Sequence, residues 1–244
     1  NRLSAGASVE GQQRQVGFAL FEELEHQLAH GHGDRFDPDG LEEFGRHEID
    51  IMIGTQMVAK GLDFPDVTLV GILAADSLLR IPDFRSSERN FSLLAQVSGR
   101  AGRGDAAGRV VLQTYFPDHH SIRYALTEDY HGFFAEEAEH RRAAGFPPFL
   151  ALASLLFTSE QAEKAKDAAQ KLAKALSGTP SFQGGNILGP APAPIERINN
   201  QFRFQLLARN PDRAALTTAL RASMKAAAVS GVKISVDIDP YFAL

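Results

Sequence analysis

Between residues 49 and 115 the chain alternates strand-length apolar runs with helical stretches, and that alternation limits its fold more than any other feature. Residues 49–53 (IDIMI) read as a short buried strand leading into Gly54 and Thr55. A helical turn over 57–60 precedes Gly61, and a second strand follows at 67–73 (VTLVGIL). Residues 86–98 have helical character, and 109–115 (RVVLQTY) form a third strand. Buried strands separated by helices predict a parallel α/β sheet. Upstream, Val16, Ala19, Leu20, Leu24 and Leu28 recur at helical spacing, so 16–29 is predicted to be an amphipathic helix, with a turn-rich loop over 30–40. His26, His30 and His32 could form a metal cluster, but no carboxylate pattern supports one and solvated loop histidines are commoner. No metal site is expected there.

Residues 119–143 read as helical and end in Gly145-Phe146-Pro147-Pro148, a natural boundary. Beyond it the pattern changes. A strand at 151–157 is followed by Thr158 and Gln161 at capping-box spacing, then by a helix through Ala165, Ala169, Leu172 and Leu176 that Gly178 and Pro180 stop. The stretch 189–194 (GPAPAP) is too proline-rich for the interior of an element. Alternation around Phe202, Phe204 and Leu206 marks a hairpin arm, Asn210-Pro211 caps a last helix, and 232–238 (VKISVDI) is the final strand. This order predicts a small α+β sandwich of ferredoxin-like, split βαβ type.

Composition narrows the function classes. Hydrophobic residues at 44% and charged residues at 23% fit a globular chain rather than a disordered one. With no cysteine, disulfides and thiolate zinc sites are excluded. The sequence holds no apolar run of membrane-spanning length and no secretory leader, which makes the cytoplasm the expected compartment. A net charge of −5 argues at first against a nucleic-acid partner. The distribution weakens that argument: residues 1–53 carry −7, 54–115 carry +1, 116–148 carry −3 and 149–244 carry +4.

Two segments carry chemistry. One is GTQMVAKGLDFP (54–65), directly after a strand; the other is QVSGRAGRG (96–104), at the end of a predicted helix. Arg100 and Arg103 stand three residues apart, so on one helical turn both project to the same side. Paired guanidiniums match a polyphosphate, because their planar forks grip phosphate oxygens and stabilise charge developing in phosphoryl transfer. Glycines beside them allow close backbone approach. In isolation, two surface arginines on a glycine-rich turn would look the same. The pairing with the first segment, in this order and with 30 residues (66–95) between them, favours the functional reading.

These two segments resemble motifs V and VI in the second RecA-like lobe of superfamily 2 helicases. The longer wording is similar to the bacterial replication-restart helicases: IGTQMVAKGLDFPDVTLV, then ADSLLRIPDFRSSERNFSLLAQVSGRAGRG, VVLQTY, Gly145–Phe149 after His140-Arg141-Arg142, LGPAPAPIERINNQFRFQLL and VDIDP. The resemblance covers roughly residues 41–244. It implies a 3′-to-5′ DNA helicase that binds stalled or abandoned forks and recruits primosome proteins. Arg100 and Arg103 would then be arginine fingers and γ-phosphate sensors, Gln96 would order the phosphates beside Gly99, and Asp63 would approach the ribose. Thr55 would contact the DNA backbone, with Gln56 and Lys60 nearby. Thr55 could equally be a strand end, and Asp63 a turn cap.

The resemblance also exposes absences. No G-x-x-x-x-G-K-[ST] phosphate loop and no DExH-type acidic box occur, so ATP and Mg²⁺ would be held mostly by the family's first lobe, and the chain is expected to be a fragment that does not hydrolyse ATP alone. The family's eight zinc-ligating cysteines are missing too. The expected plan is an N-terminal segment (1–40, helical), helicase lobe 2 (41–118), a helical connector (119–148) and an α+β C-terminal domain (149–244). In the family that last domain contributes to binding branched DNA and single-strand DNA-binding protein.

Here Arg197, Arg203 and Arg209 flank Phe202 and Phe204, an interleaving that can join phosphate contacts to base stacking. An ordinary amphipathic strand gives the same pattern, with the phenylalanines in the core and Arg203 and Gln205 exposed and open to DNA. Asn199-Asn200-Gln201 departs from the more basic, glycine-rich turn of the family. Lys164, Lys171 and Lys174 are expected on a solvated helix face. Two other readings stay open: a non-catalytic DNA- or protein-binding module, and another superfamily 2 translocase such as a branch-migrating recombination helicase. GPAPAPIERI and VDIDP count against the translocase.

Overall fold

The computed structural model describes residues 16–21, 38–54, 67–99 and 108–241, by backbone alone at 16–21, 38, 39 and 41. Its contacts divide the chain into two units, residues 1–81 with 87–133, and 82–86 with 134–244.

The first unit is built on a parallel sheet of β1 (Val16–Phe21), β2 (Ile51–Gly54), β3 (Val67–Leu73) and β4 (Arg109–Leu112), in the order β2-β1-β3-β4. Its helices are α1 (Pro38–Gly45), α2 (Ser86–Ser98), α3 (His120–Leu126) and the start of α4 (Tyr130–Ala144). The parallel α/β lobe is as the sequence predicts, and β3 and α2 have the expected ends.

The N-terminal helix is not. Residues 16–21 form a strand between β2 and β3, with Phe18 in register with both Met52 and Val70. VGFALF is six residues without a polar side chain, and a strand inside a parallel sheet reads as a continuous apolar run rather than an alternating one. Periodicity cannot separate such a run from a helix. Residues 22–29 of that predicted helix lie outside the described residues, as do the three histidines. β2 differs as well: it is an edge strand that buries Met52 and leaves Ile51 and Ile53 exposed.

The core joins Val70 and Ile72 of β3 to Phe91, Leu94 and Val97 on one stripe of α2, and to Ile122 and Phe133. Within it Asn90 of α2 donates from Nδ2 to the Ser121 hydroxyl at 3.0 Å. The helical connector breaks at Thr127–Asp129, where Glu128 takes φ +54°.

In the second unit β5 (Ala151–Ser159), α5 (Ala162–Ser177), β6 (Asn186–Ile198), β7 (Gln201–Asn210), α6 (Arg213–Ser223) and β8 (Lys233–Ile238) follow in order. The sheet runs β6-β7-β5-β8, and every neighbouring pair is antiparallel. β7 therefore lies between β5 and β6, which α5 connects, the split βαβ arrangement the sequence predicts. Alternation along β5 sends Ala153, Leu155 and Phe157 toward α5 and α6, where Ala165, Ala169, Leu172, Leu216 and Ala219 complete the core. Lys164, Lys171 and Lys174 are exposed on α5, as expected.

Three local expectations change. GPAPAP lies inside β6 rather than in a loop. β6 is an edge strand, and its register with β7 shifts between Leu188 and Ala191 and again between Pro192 and Arg197. Prolines that cannot donate are tolerated at such an edge. Asn199 and Asn200, at φ 49° and 63°, make the tight turn into β7, a conformation asparagine accepts readily. Thr158 is not a cap, since its hydroxyl donates to the Lys233 carbonyl and Gln161 occupies the position before α5.

The cap of α6 is Asp212, not Asn210: its carboxylate accepts from the N–H groups of Ala214 and Ala215 at 2.7 and 3.2 Å. Asn210 supports the cap from behind, accepting from Asp212 N–H at 2.8 Å. Asp212→Ala should lower unfolding free energy by about 1 kcal/mol in urea titration, and Asp212→Asn by much less. Equal losses in both would show that charge rather than capping matters.

Candidate nucleotide and nucleic-acid interface

In open α/β sheets, ligands bind beyond the carboxyl ends of the strands. In the first unit those ends are tied together by Asp76, which is fully buried after β3 and accepts from Tyr115 N–H, beyond β4, at 3.1 Å. The Gln113 backbone adds two bonds, donating to Ile72 and accepting from Ala75, both at 2.9 Å. Arg80 lies 3.8 Å from Asp76 Oδ2 and 6.0 Å from the Tyr115 ring centroid. The rim is thus braced by a buried carboxylate and two backbone bonds.

α2 carries the described part of the predicted nucleotide segment. Phe91, Leu94 and Val97 hold its inner stripe against the core, which leaves Gln96 exposed on the last turn. Gly99 ends the helix, its N–H donating to the Ala95 carbonyl at 3.1 Å. A Cβ added there would meet that carbonyl oxygen at 3.4 Å, an ordinary contact, and the backbone is not left-handed. The helix therefore does not itself demand glycine. Arg100 and Arg103, and also Thr55, Gln56, Lys60 and Asp63, lie outside the described residues. Thr55 and Arg100 follow directly in sequence on Gly54, the last residue of β2, and on Gly99.

The predicted nucleic-acid positions of β7 are placed differently from expectation. Gln205 is buried, only 9% exposed, and its Nε2 donates to the Ser154 hydroxyl at 3.2 Å. Arg203 is half-buried, donating to the Ile195 carbonyl at 3.2 Å. The cause is topology: β7 is an interior strand, so neighbours in β5 and β6 shield even the face without helices. Phe204 packs against the core. Phe202 is half-buried and lies under the guanidinium of exposed Arg197, 4.8 Å from its ring centroid. Arg197 also donates to the Asn200 side chain.

Arg209 is committed within its own unit. It donates from Nη1 to the carbonyls of Ala144 and Gly145 at 2.6 and 2.9 Å and lies 5.3 Å from the Phe146 ring centroid. Sequence reading missed this role, because the partners are more than sixty residues away and no periodicity signals them. Of the three arginines grouped by sequence, Arg197 is the one most accessible to a ligand.

The zinc-cysteine cluster implied by the resemblance has no fit here, since the chain contains no cysteine. No helix among the described residues is long and apolar enough to cross a membrane.

Comparison with known proteins agrees with both units. Residues 16–105 match the family model described as Helicase conserved C-terminal domain, and residues 142–241 match Primosomal protein N C-terminal domain. The replication restart protein PriA of Bacillus subtilis is 43% identical over 205 residues, 82% of this chain and 25% of that protein. The Synechocystis protein of the same name is 44% identical over 203 residues, 82% and 24% of the two chains, and the Haemophilus influenzae protein is 39% identical over 202, 82% and 28%. The chain spans about a quarter of the length of the curated relatives it matches. With a helicase C-terminal lobe followed by the primosomal C-terminal domain, and this identity through most of its length, the chain corresponds to a C-terminal part of the primosomal protein N, or replication restart, proteins.

Proposed function

We propose that this chain provides the second RecA-like lobe and the C-terminal domain of an ATP-dependent 3′-to-5′ DNA helicase that acts in replication restart and primosome assembly in the cytoplasm. The observation that carries the reading is the pairing, in one chain and in this order, of a helicase C-terminal lobe with the primosomal C-terminal domain. Gln96, held outward by the buried stripe of α2, would donate to the nucleotide phosphates. Arg100 and Arg103 would bring positive charge to the γ-phosphate, and Asp63 would meet the ribose. Thr55, Gln56 and Lys60 would bind the DNA backbone through a hydroxyl, an amide and an ammonium.

ATP with Mg²⁺ supplies the phosphoanhydride whose hydrolysis drives translocation. The Mg²⁺ would be held by the acidic box of a first lobe, because this chain has no phosphate loop or acidic box. In the C-terminal domain, Arg203 and its exposed neighbour Arg197 are the candidate contacts to single-stranded and forked DNA. Gln205 would act there by ordering Ser154 rather than by touching DNA. Single-strand DNA-binding protein and other primosome proteins are the proposed protein partners.

The missing phosphate loop favours a second reading for the chain on its own, a binding module without turnover. The two readings separate in one experiment, an ATPase and strand-displacement assay on the chain and on the complete protein. The chain alone is expected to stay at background, while the complete protein hydrolyses ATP in response to DNA and unwinds a fork from 3′ to 5′. A complete protein that binds forks without hydrolysing ATP would leave only the module.

A further inference from the structure

Residues 82–86 are flanked on both sides by the first unit, yet they pack in the second. Phe84 is the reason. Its ring stacks on that of Phe146, with centroids 5.2 Å apart and planes 5° from parallel. The Arg141 guanidinium lies 5.2 Å from the Phe84 centroid and is oriented by Glu137, which accepts from its Nε at 2.7 Å with both side chains largely buried. The Arg209 guanidinium covers Phe146 in turn, fixed by the Ala144 and Gly145 carbonyls. Gly145, at φ +66°, takes a left-handed conformation that favours glycine, and a Cβ there would crowd Leu150 at 3.1 Å and Arg209 Nη1 at 3.3 Å. Next to Phe84, Arg85 lies 4.6 Å over the Tyr241 ring. Phe84 and Arg85 thereby engage α4, the turn after it, β7 and the residues beyond β8.

The same few residues start α2. Asp83 accepts from Arg85 N–H on its carboxylate at 2.8 Å and from Ser86 N–H on its carbonyl at 3.0 Å. Ser86 is the first residue of α2, so one locked turn holds both the clamped ring and the first residue of the helix. α2 then runs 13 residues, about 20 Å at 1.5 Å per residue, to the turn that carries Gln96 and Gly99. α2 contains no proline or glycine to kink it, so a displacement of its first turn is carried along its axis toward its last.

We propose that Phe84 is a positioning residue, the clamp through which the C-terminal domain sets the start of α2 and thereby the nucleotide-facing segment at its other end. This rests on reading Gln96–Arg103 as that segment. The clamp makes ATP turnover responsive to what the C-terminal domain binds, since any shift of Phe146 or Arg209 is felt at Ser86. Phe84 belongs to none of the segments assigned to nucleotide or DNA, so it should govern the DNA stimulation of turnover and not binding itself.

The test uses the complete protein and the variants Phe84→Ala, Phe84→Leu, Phe84→Tyr, Phe146→Ala and the double alanine variant. Thermal unfolding, affinity for a fork and ATPase with and without saturating DNA are measured for each. Phe84→Ala and Phe146→Ala should keep DNA-free turnover and fork affinity within about twofold of the unmodified protein, while the DNA-stimulated kcat falls by about tenfold, within the usual range of coupling between sites. The double variant should lose no more than either single one, because both break one stack. Phe84→Tyr should retain stimulation, and Phe84→Leu, which fills the volume without the ring stack, covers the case in which alanine fails to fold. Full stimulation in a folded Phe84→Leu or Phe84→Ala variant overturns the clamp. So does a loss that saturating DNA repairs, since that would be a binding defect. If the unmodified protein shows no DNA-stimulated hydrolysis, the nucleotide-facing reading fails first and the clamp falls with it.

Discussion

Arg100→Ala and Arg103→Ala, each made in the complete protein, are expected to lower DNA-stimulated ATP hydrolysis by about 10³-fold or more and to leave fork binding near normal. An arginine finger contributes about 10³–10⁵ to turnover, because charge spreading over the transferred phosphoryl group is met by a preformed guanidinium instead of reorganising water. A 10³-fold loss corresponds to roughly 4 kcal/mol of transition-state stabilisation. Arg→Lys at either position should recover little, since an ammonium cannot replace the planar, two-pronged donor. Gln96→Ala, which removes a neutral donor from the last turn of α2, should cost less. The decisive readout is kcat with KM for ATP measured separately. Near-normal kcat in both arginine variants would sink the assignment, and a rise in KM alone would make them ground-state binders.

Legibility in the sequence followed the physics of each element. α2, β5 and α5 were readable because each has one buried stripe whose period reports its geometry, as in Phe91, Leu94 and Val97, whereas β3 was readable from the strand length of its apolar run. Residues 16–21 misled for the opposite reason: a strand paired on both sides in a parallel sheet shows no alternation. Asn210 and Asp212 are both good caps two residues apart, so the helix was legible but its first residue was not. The prolines of β6 and the burial of Gln205 depend on strand order, edge in one case and interior in the other, and strand order is a property of the whole sheet. The motifs around Gln96 and Gly99 were legible as wording. Phe84 and Arg209 were not, because an aromatic stack between residues 84 and 146 leaves no local pattern.

The largest stability effect should come from Phe157→Ala in the C-terminal domain, a loss of about 3–5 kcal/mol. Phe157 is fully buried on β5, in register with Phe204 of β7 on one side and Ile234 of β8 on the other. The helices covering it meet the sheet through small side chains, including Ala165, Ala168, Ala169 and Ala219, all fully buried. Alanine faces let the helices approach closely, and an alanine has no rotatable side chain to swing into the space a missing ring opens. The cost should therefore be near the full transfer-plus-cavity value rather than the relaxed one. Phe157→Leu, which keeps most of the volume, should lose much less. Ile51→Ala, at a side chain 66% exposed on the edge of the first unit's sheet, should change stability by about 0.5 kcal/mol or less. Urea unfolding of the three variants checks the ranking. A loss below about 1 kcal/mol for Phe157→Ala, with an unchanged slope, would mean that α5 and α6 close over the gap.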